Sequence, residues 1–161
     1  VNFAYANLHK VDLMAADLHQ AIFAYANLRY ANLNHVELQQ GNLTYANLKY
    51  TSLRLADLEG ALISNANLQQ ADLSGINLQH AELWGSNLQS ATLREAELQH
   101  AVLEGVNLHG ADLREANLYG ADLTNVKFND TTILPDGTHW SPETDMSQFT
   151  QNPTPPSAPL E

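Results

Sequence analysis

The chain of 161 residues contains no cysteine, and its 7 lysine and arginine residues are outnumbered by 18 aspartate and glutamate residues. The absence of cysteine excludes disulfide bonds and thiol chemistry, so the redox compartment cannot be read from the sequence. The net charge of −11 argues against unspecific binding to nucleic acid or to anionic lipid. No run of eighteen apolar residues occurs, so we predict no membrane-spanning helix.

Leucine, in contrast, is abundant and returns at every fifth position. The central residues i of 26 consecutive five-residue units run from Phe3 to Phe128, and 22 of them are leucine. A helix would scatter this pattern around its surface, and a flat strand would place successive leucines on opposite faces. A chain that bends after each leucine instead brings position i and position i−2, usually alanine, to one inner side. The pattern therefore predicts an all-β solenoid with an uncharged core of leucine and alanine.

The outward positions repeat every twenty residues, which predicts four units per coil and about 6.5 coils. Position i−1 is asparagine six times in succession at this spacing, and tyrosine recurs three times at i+2. Glycine and asparagine are also frequent at i+2, where they favour bends with positive φ. The two series are Asn7, Asn27, Asn47, Asn67, Asn87 and Asn107, and Tyr5, Tyr25 and Tyr45.

These units contain the tripeptide ADL at Ala16, Ala56, Ala71, Ala111 and Ala121, and ANL at Ala6, Ala26, Ala31, Ala46, Ala66 and Ala116. The chain thereby resembles the pentapeptide-repeat family, whose motif is A(D/N)LXX. The resemblance implies a right-handed quadrilateral parallel β-helix with positions i and i−2 inward. The segment that follows the repeats also resembles the tail of cyanobacterial members of the family.

Changes in composition predict three segments along the chain. Residues 1–130 form the repeat solenoid, and 131–150, which contain a Pro-Asp-Gly turn and scattered large apolar residues, are predicted to cap its carboxyl end. Residues 151–161 have the composition of a proline-rich linker. Their last two residues, Leu160 and Glu161, resemble a cloning scar and carry no weight.

The most distinctive predicted surface, which we name the tyrosine–cation surface, lies on the first three coils. Stacked rings flanked by cations favour a surface for a protein partner. A ladder of rings that only stiffens the rod is an equally good interpretation. The surface comprises Tyr5, Tyr25, Tyr45, Tyr30, Tyr50, Lys10, Arg29 and Lys49.

A second candidate, the acidic column, consists of Asp17, Glu37, Asp57 and Glu97, which occupy i−1 positions of another face in one series with Asn77 and Asn117. The resemblance invites comparison with the family's gyrase inhibitors, which are acidic rods that imitate DNA. The alternative, which we favour, is that Asp and Asn at i−1 simply bond to nearby backbone groups.

We expect no catalytic residue, metal site or cofactor. His80 and His100 are predicted to lie one coil apart, about 5 Å from each other, near Glu95 and Glu97, but two imidazoles on a flat face make a poor metal site. A solid rod also offers no concave pocket for a substrate.

The sequence therefore predicts a non-catalytic interaction or scaffold module that binds an unknown protein partner and neither nucleic acid nor a membrane directly. The alternatives are a DNA-mimicking inhibitor of an enzyme such as gyrase, and an accessory domain of a longer chain. The repeat is already in register at Val1, so we expect a fragment or processed form that pairs end to end through its first coil. The compartment is unknown, with the cytoplasm slightly favoured over the periplasm and the thylakoid lumen.

Overall fold

The structure is a computed structural model and describes residues 1–151. The predicted proline-rich linker, apart from its first residue, lies outside the described residues, as do Leu160 and Glu161.

Parallel backbone bridges between residues twenty positions apart hold successive coils together. They begin with Asn2 and Ile22 and continue along the repeats to the pair Asn107 and Lys127. Each is an isolated, single-residue bridge, so the short strands predicted from the sequence are reduced to one bridged residue per unit in the described part of the chain. The bend after every central residue explains this, because it leaves no room for a longer ladder.

The backbone N–H groups of each unit are distributed between neighbouring coils and the unit itself. In the unit centred on Leu58, the Leu58 N–H donates to Asn77 of the next coil at 2.8 Å, and the Asp57 N–H donates to Val36 of the preceding coil at 2.9 Å. The N–H at i+1 has no such neighbour, and it donates instead to the side-chain oxygen at i−1, as from Glu59 to Asp57 at 3.1 Å. This bond explains the Asn or Asp of the repeat motif.

Every corner of the solenoid has the same left-handed backbone conformation. Position i+2 has a positive φ in each unit from Tyr5 to Asn125, including bulky residues such as Leu55 at 54°. The sequence predicts this conformation only where glycine or asparagine stands at i+2. At the other corners the backbone bonds to both neighbouring coils stabilise it, which offsets a cost of about 1–2 kcal/mol per non-glycine residue.

The core is a column of central leucines and of i−2 alanines, as the pattern predicts. From Ala21 to Leu118 these side chains are at most 7% exposed. The two polar residues that stand at i−2 within this stretch are satisfied, because Thr51 donates to the Leu28 carbonyl at 2.8 Å and Ser86 to that of Ile63 at 2.7 Å. At the amino-terminal end Phe3 stacks on Phe23 with ring centroids 4.9 Å apart.

The segment after the repeats packs on the last coil. Its Ile133 bridges to Asp112 in parallel and to His139 in antiparallel fashion, and Leu134 is fully buried. Phe149, which lies within a short helix, α1 (Ser147–Thr150), packs against the core; the sequence does not predict this helix. The Trp140 ring stacks on Phe128 at 5.9 Å. The end of the apolar column is therefore in contact with this segment.

Candidate functional site

Two columns of stacked tyrosines line the edges of one wall in the first three coils. The rings of Tyr5, Tyr25 and Tyr45 are nearly parallel, with neighbouring centroids 5.0 Å apart, and those of Tyr30 and Tyr50 are 4.8 Å apart. These residues stack because they occupy the same corner position of successive coils. Tyr5 is 75% exposed, and Tyr25 and Tyr45 are about half exposed. The structure thus brings the predicted aromatic residues together.

Two of the three cations of the tyrosine–cation surface, Arg29 and Lys49, lie against these rings, whereas Lys10 has no such ring contact among the described residues. The Arg29 guanidinium lies 5.5 Å from the centroid of Tyr30, and the Lys49 ammonium lies 5.0 Å from that of Tyr50. Both cations are half-buried, and neither has a carboxylate partner within residues 1–151. Both are therefore held by aromatic rings rather than by ion pairs.

Side-chain amides of asparagine and glutamine are frequent on the wall between the two tyrosine columns. We name it the asparagine wall, and its bridges join the six asparagines of the i−1 series in succession. Asn27 donates to Asn7 across the coils at 3.0 Å, and Gln69 donates to Gln89 at 3.3 Å. The wall comprises residues 5–10, 25–30, 45–50, 65–70, 85–90 and 105–110.

The acidic column lies on the wall two units further along each coil. Its members are tied to their own neighbours: Gln39 donates to Asp57 at 2.6 Å, Gln99 donates to Glu97 at 2.6 Å, and Asn77 donates to Asp57 at 3.0 Å. Asp17 and Asp57 also accept the N–H at i+1 of their own units, whereas Glu37 and Glu97 do not. The predicted bond from the i−1 side chain to a nearby backbone group is therefore present in two of the four residues of the column.

One cluster on this wall was not anticipated from the sequence. The Nδ1 atom of His19 lies 2.8 Å from an Asp17 oxygen and 3.9 Å from a Glu37 oxygen. The hydrogen bond between Asp17 and His19 lowers the pKa of the Asp17 carboxyl and raises the pKa of the His19 imidazole. The spacing i−1, i+1 and i+19 could have revealed it, because alternate residues of a unit share its outer side. All three residues are exposed, and such a cluster alone does not define a metal centre.

The histidine pair considered in the sequence is a stack. The rings of His80 and His100 lie 5.2 Å apart and nearly parallel, and Tyr119 meets His100 edge-on.

No helix within residues 1–151 has the length and apolarity needed to cross a membrane.

The fold and the repeats define a solenoid built from five-residue units. Comparison with known families identifies the family to which this solenoid belongs. A model of pentapeptide repeats in eight copies matches residues 21–60, 56–94 and 91–130. The chain belongs to the pentapeptide-repeat family, and the prediction made from its motifs is confirmed. No sequence among curated proteins matches the chain significantly.

Two solved structures are similar over long stretches. The pentapeptide repeat protein Rfr23 from the cyanobacterium Cyanothece 51142 is 40% identical over 58% of this chain and 63% of its own, with a TM-score of 0.57. The chain thus spans less than two thirds of that relative's length. HetL from the cyanobacterium Nostoc sp. strain PCC 7120, a protein involved in heterocyst differentiation regulation, is 31% identical over 86% of this chain and 74% of its own, with a TM-score of 0.50.

Proposed function

We propose that the chain is a non-catalytic protein-interaction module and that its partner binds the tyrosine–cation surface. The observation that carries this proposal is the pair Arg29 and Lys49, which are half-buried on aromatic rings and lack carboxylate partners within residues 1–151. Exposed tyrosines beside arginine are the composition that protein interfaces favour. The similarity to HetL supports a regulatory role of the binding, since HetL is involved in regulating differentiation.

A ladder that only stiffens the rod accounts for less of this surface. Stacking explains why tyrosines repeat at one corner, where each adjacent pair contributes a few tenths to about 1 kcal/mol. It does not explain why two cations lie beside the rings in an acidic protein. A partner with groups that attract these cations accounts for their position.

A non-catalytic function agrees with the shape of the described part of the rod. The depressions beside Lys49, Tyr119, His19 and Arg54 are open to solvent, and none of these four combines a nucleophile with a general base and an oxyanion site. We therefore propose a binding function that uses the outer walls of a right-handed coil of about 6.5 turns. We keep residues 131–150 as the proposed cap of its carboxyl end.

The second candidate, a DNA-mimicking inhibitor of an enzyme such as gyrase, rests on the acidic column. Glu37 and Glu97 do not accept the backbone bond of their units, so the motif does not require their carboxylates. A gyrase supercoiling assay tests this candidate, and an absence of inhibition at tens of micromolar protein would exclude it.

An end-to-end homodimer through the first coil remains a proposal for a chain that starts at Val1. In this chain Val1 is 77% exposed, and the inward side chains of Phe3, Leu8 and Leu13 are only partly buried. Light scattering over a range of concentrations tests it. A monomer at every concentration, unchanged by Leu8→Glu, contradicts the pairing.

The experiment for the interaction surface compares two double variants of matched composition. Tyr25→Ser with Arg29→Glu is expected to abolish crosslinking to a partner in extract of the source organism while the melting temperature changes little, since both side chains lie on the surface. Tyr119→Ser with Arg94→Glu makes the same chemical changes on other walls and should leave crosslinking intact. Equal crosslinking by both variants would contradict the proposed surface.

A further inference from the structure

The asparagine wall contains no carboxylate, although the protein has 18 aspartate and glutamate residues. Its outer side chains are amides, tyrosines, a few small residues, the histidines His9 and His109, and three of the 7 lysine and arginine residues. These cations are Lys10, Arg29 and Lys49, one in each of the first three coils. The wall is therefore locally positive in a protein whose net charge is −11.

The positive groups of this wall are not neutralised from within the described chain. On the wall that follows it along each coil, Arg114 donates to Asp112 at 2.9 Å and Arg54 lies 3.5 Å from Asp72. Arg29 has no such partner, and its Nε atom is buried without any hydrogen-bond acceptor. A buried donor without an acceptor is costly, so the described chain leaves the hydrogen-bonding capacity of the Arg29 guanidinium partly unused.

A depression of about 170 Å³ opens on the same wall beside Lys49. The groups that line it are an ammonium, three carboxamides and a hydroxyl, which include more hydrogen-bond donors than one Gln69 to Gln89 bond uses. Its volume is that of several water molecules, which suits a single carboxylate-bearing side chain. The lining residues are Lys49, Gln69, Gln70, Gln89 and Ser90.

The tyrosine columns add donors rather than ring faces. Because Tyr25 is stacked on both sides at 5.0 Å, its faces are covered and its edge and hydroxyl remain exposed. A phenol hydroxyl donates readily to a carboxylate. Two rows of such hydroxyls lie along the part of the wall that carries the cations.

We infer that the partner presents an acidic, extended segment that lies along the asparagine wall and places one carboxylate in the depression beside Lys49. This inference rests on the proposed function and specifies the chemistry of its partner. A nucleic acid fits less well, because the protein's overall negative charge repels a continuous polyanion while three cations release few counterions. A second copy fits less well too, because two chains that each carry a net charge of −11 repel one another.

The test uses the full chain and an end-blocked hexaglutamate peptide as the probe. We expect saturable binding at low salt, weakened about tenfold or more by Lys49→Glu, because a charge-assisted hydrogen bond is lost and a like charge is introduced. Arg29→Glu should have a similar effect. Arg94→Glu makes the same change in net charge on another wall and should alter the affinity less than twofold.

Three outcomes would overturn the inference: no saturable binding up to roughly millimolar peptide, equal weakening by Lys49→Glu and Arg94→Glu, or tighter binding of an oligothymidine strand than of the peptide. Salt-dependent self-association that Lys49→Glu removes would assign the wall to a second copy and would also overturn it. Peptide binding that ignores Lys49, together with partner crosslinking that the Tyr25 and Arg29 variant abolishes, would leave the proposed function standing without this chemistry. If instead the Tyr25 and Arg29 variant crosslinked to the partner as well as the parent does, while Lys49→Glu still weakened peptide binding, the proposed function would fail and the acidic-peptide site would stand.

Discussion

The asparagine wall and the wall two units further along each coil have the same inner structure and opposite outer charge. We name the latter, residues 15–20, 35–40, 55–60, 75–80, 95–100 and 115–120, the acidic wall. Both walls place leucine at every central position of these segments. Yet the asparagine wall has no Asp or Glu, and the acidic wall has no Lys or Arg. The inward residues therefore define the fold, and the outward residues are free to differ.

The two walls also differ in how their charges are satisfied. On the acidic wall, Asp57 accepts hydrogen bonds from Gln39 and Asn77, and Asp17 pairs with His19. On the asparagine wall, Arg29 and Lys49 lie on tyrosine rings, and the described residues supply no carboxylate to either. A carboxylate that is already bonded, as at Asp17, Asp57 and Glu97, has less to gain from a partner than a cation that has no carboxylate beside it. This contrast is the reason for placing recognition on the asparagine wall.

The largest expected effect concerns what the walls share. Leu48→Ala on the asparagine wall and Leu58→Ala on the acidic wall should each lower the free energy of unfolding by about 2–5 kcal/mol, because both side chains are fully buried and leave a cavity. Chemical denaturation of both variants measures this. If only one of them were destabilised, the walls would not share one core, and the comparison would fail.

A smaller effect separates an asparagine at i−1 of the asparagine wall from a glutamate at i−1 of the acidic wall. Asn47 accepts the Lys49 N–H at 3.3 Å, whereas Glu37 on the acidic wall accepts no backbone bond. Asn47→Ala should therefore cost about 0.5–1.5 kcal/mol of unfolding free energy, and Glu37→Ala less than about 0.5 kcal/mol. Asn47→Asp retains the acceptor and serves as the control. Equal losses for the two alanine variants would show that the side-chain bond does not stabilise the unit.

The smallest effect is a pH dependence that arises from Asp17 and His19 on the acidic wall. The hydrogen bond with Asp17 raises the pKa of His19 above 6.5, and Asp17→Asn should bring that pKa back down. The stabilisation from His19 is complete below pH 6.5 and is lost as the pH rises through the raised pKa. The stabilisation from Asp17 is present above pH 3.8 and is lost as the pH falls through its lowered pKa.

The pair is therefore most stabilising between those two values, and NMR titration of the His19 ring measures its pKa. Glu37→Gln is the control, because Glu37 acts on His19 only through a weaker charge interaction. An unchanged His19 pKa in the Asp17→Asn variant would contradict the claim that the hydrogen bond with Asp17 raises this pKa.

The sequence was sufficient to predict the features that repeat. The leucine and alanine columns are buried, the tyrosines stack, and His80 lies about as far from His100 as the coil spacing predicts. These features follow from a period in which equivalent positions superimpose. The positive φ of Leu55 does not follow from residue type, because it is imposed by backbone bonds to adjacent coils.

The features that break the repeat were harder to predict. The contact of His19 with Glu37 depends on side-chain rotamers, which a spacing does not specify. Helix α1 has only four residues and no side-chain cap, so no capping pattern or hydrophobic period marks it in the sequence. Its position follows from Phe149, which packs on the last coil.

Glutamine side chains at equivalent positions of both walls allow the most direct test of the central claim, that recognition occurs on the asparagine wall. Gln69 and Gln89 lie at i+1 on the asparagine wall, and Gln79 and Gln99 lie at i+1 on the acidic wall. Their side-chain amide signals can be followed by NMR while the hexaglutamate peptide is added. The account predicts that the signals of Gln69 and Gln89 shift in a saturable way while those of Gln79 and Gln99 stay in place. Larger shifts at Gln79 and Gln99, or equal shifts at all four, would contradict it.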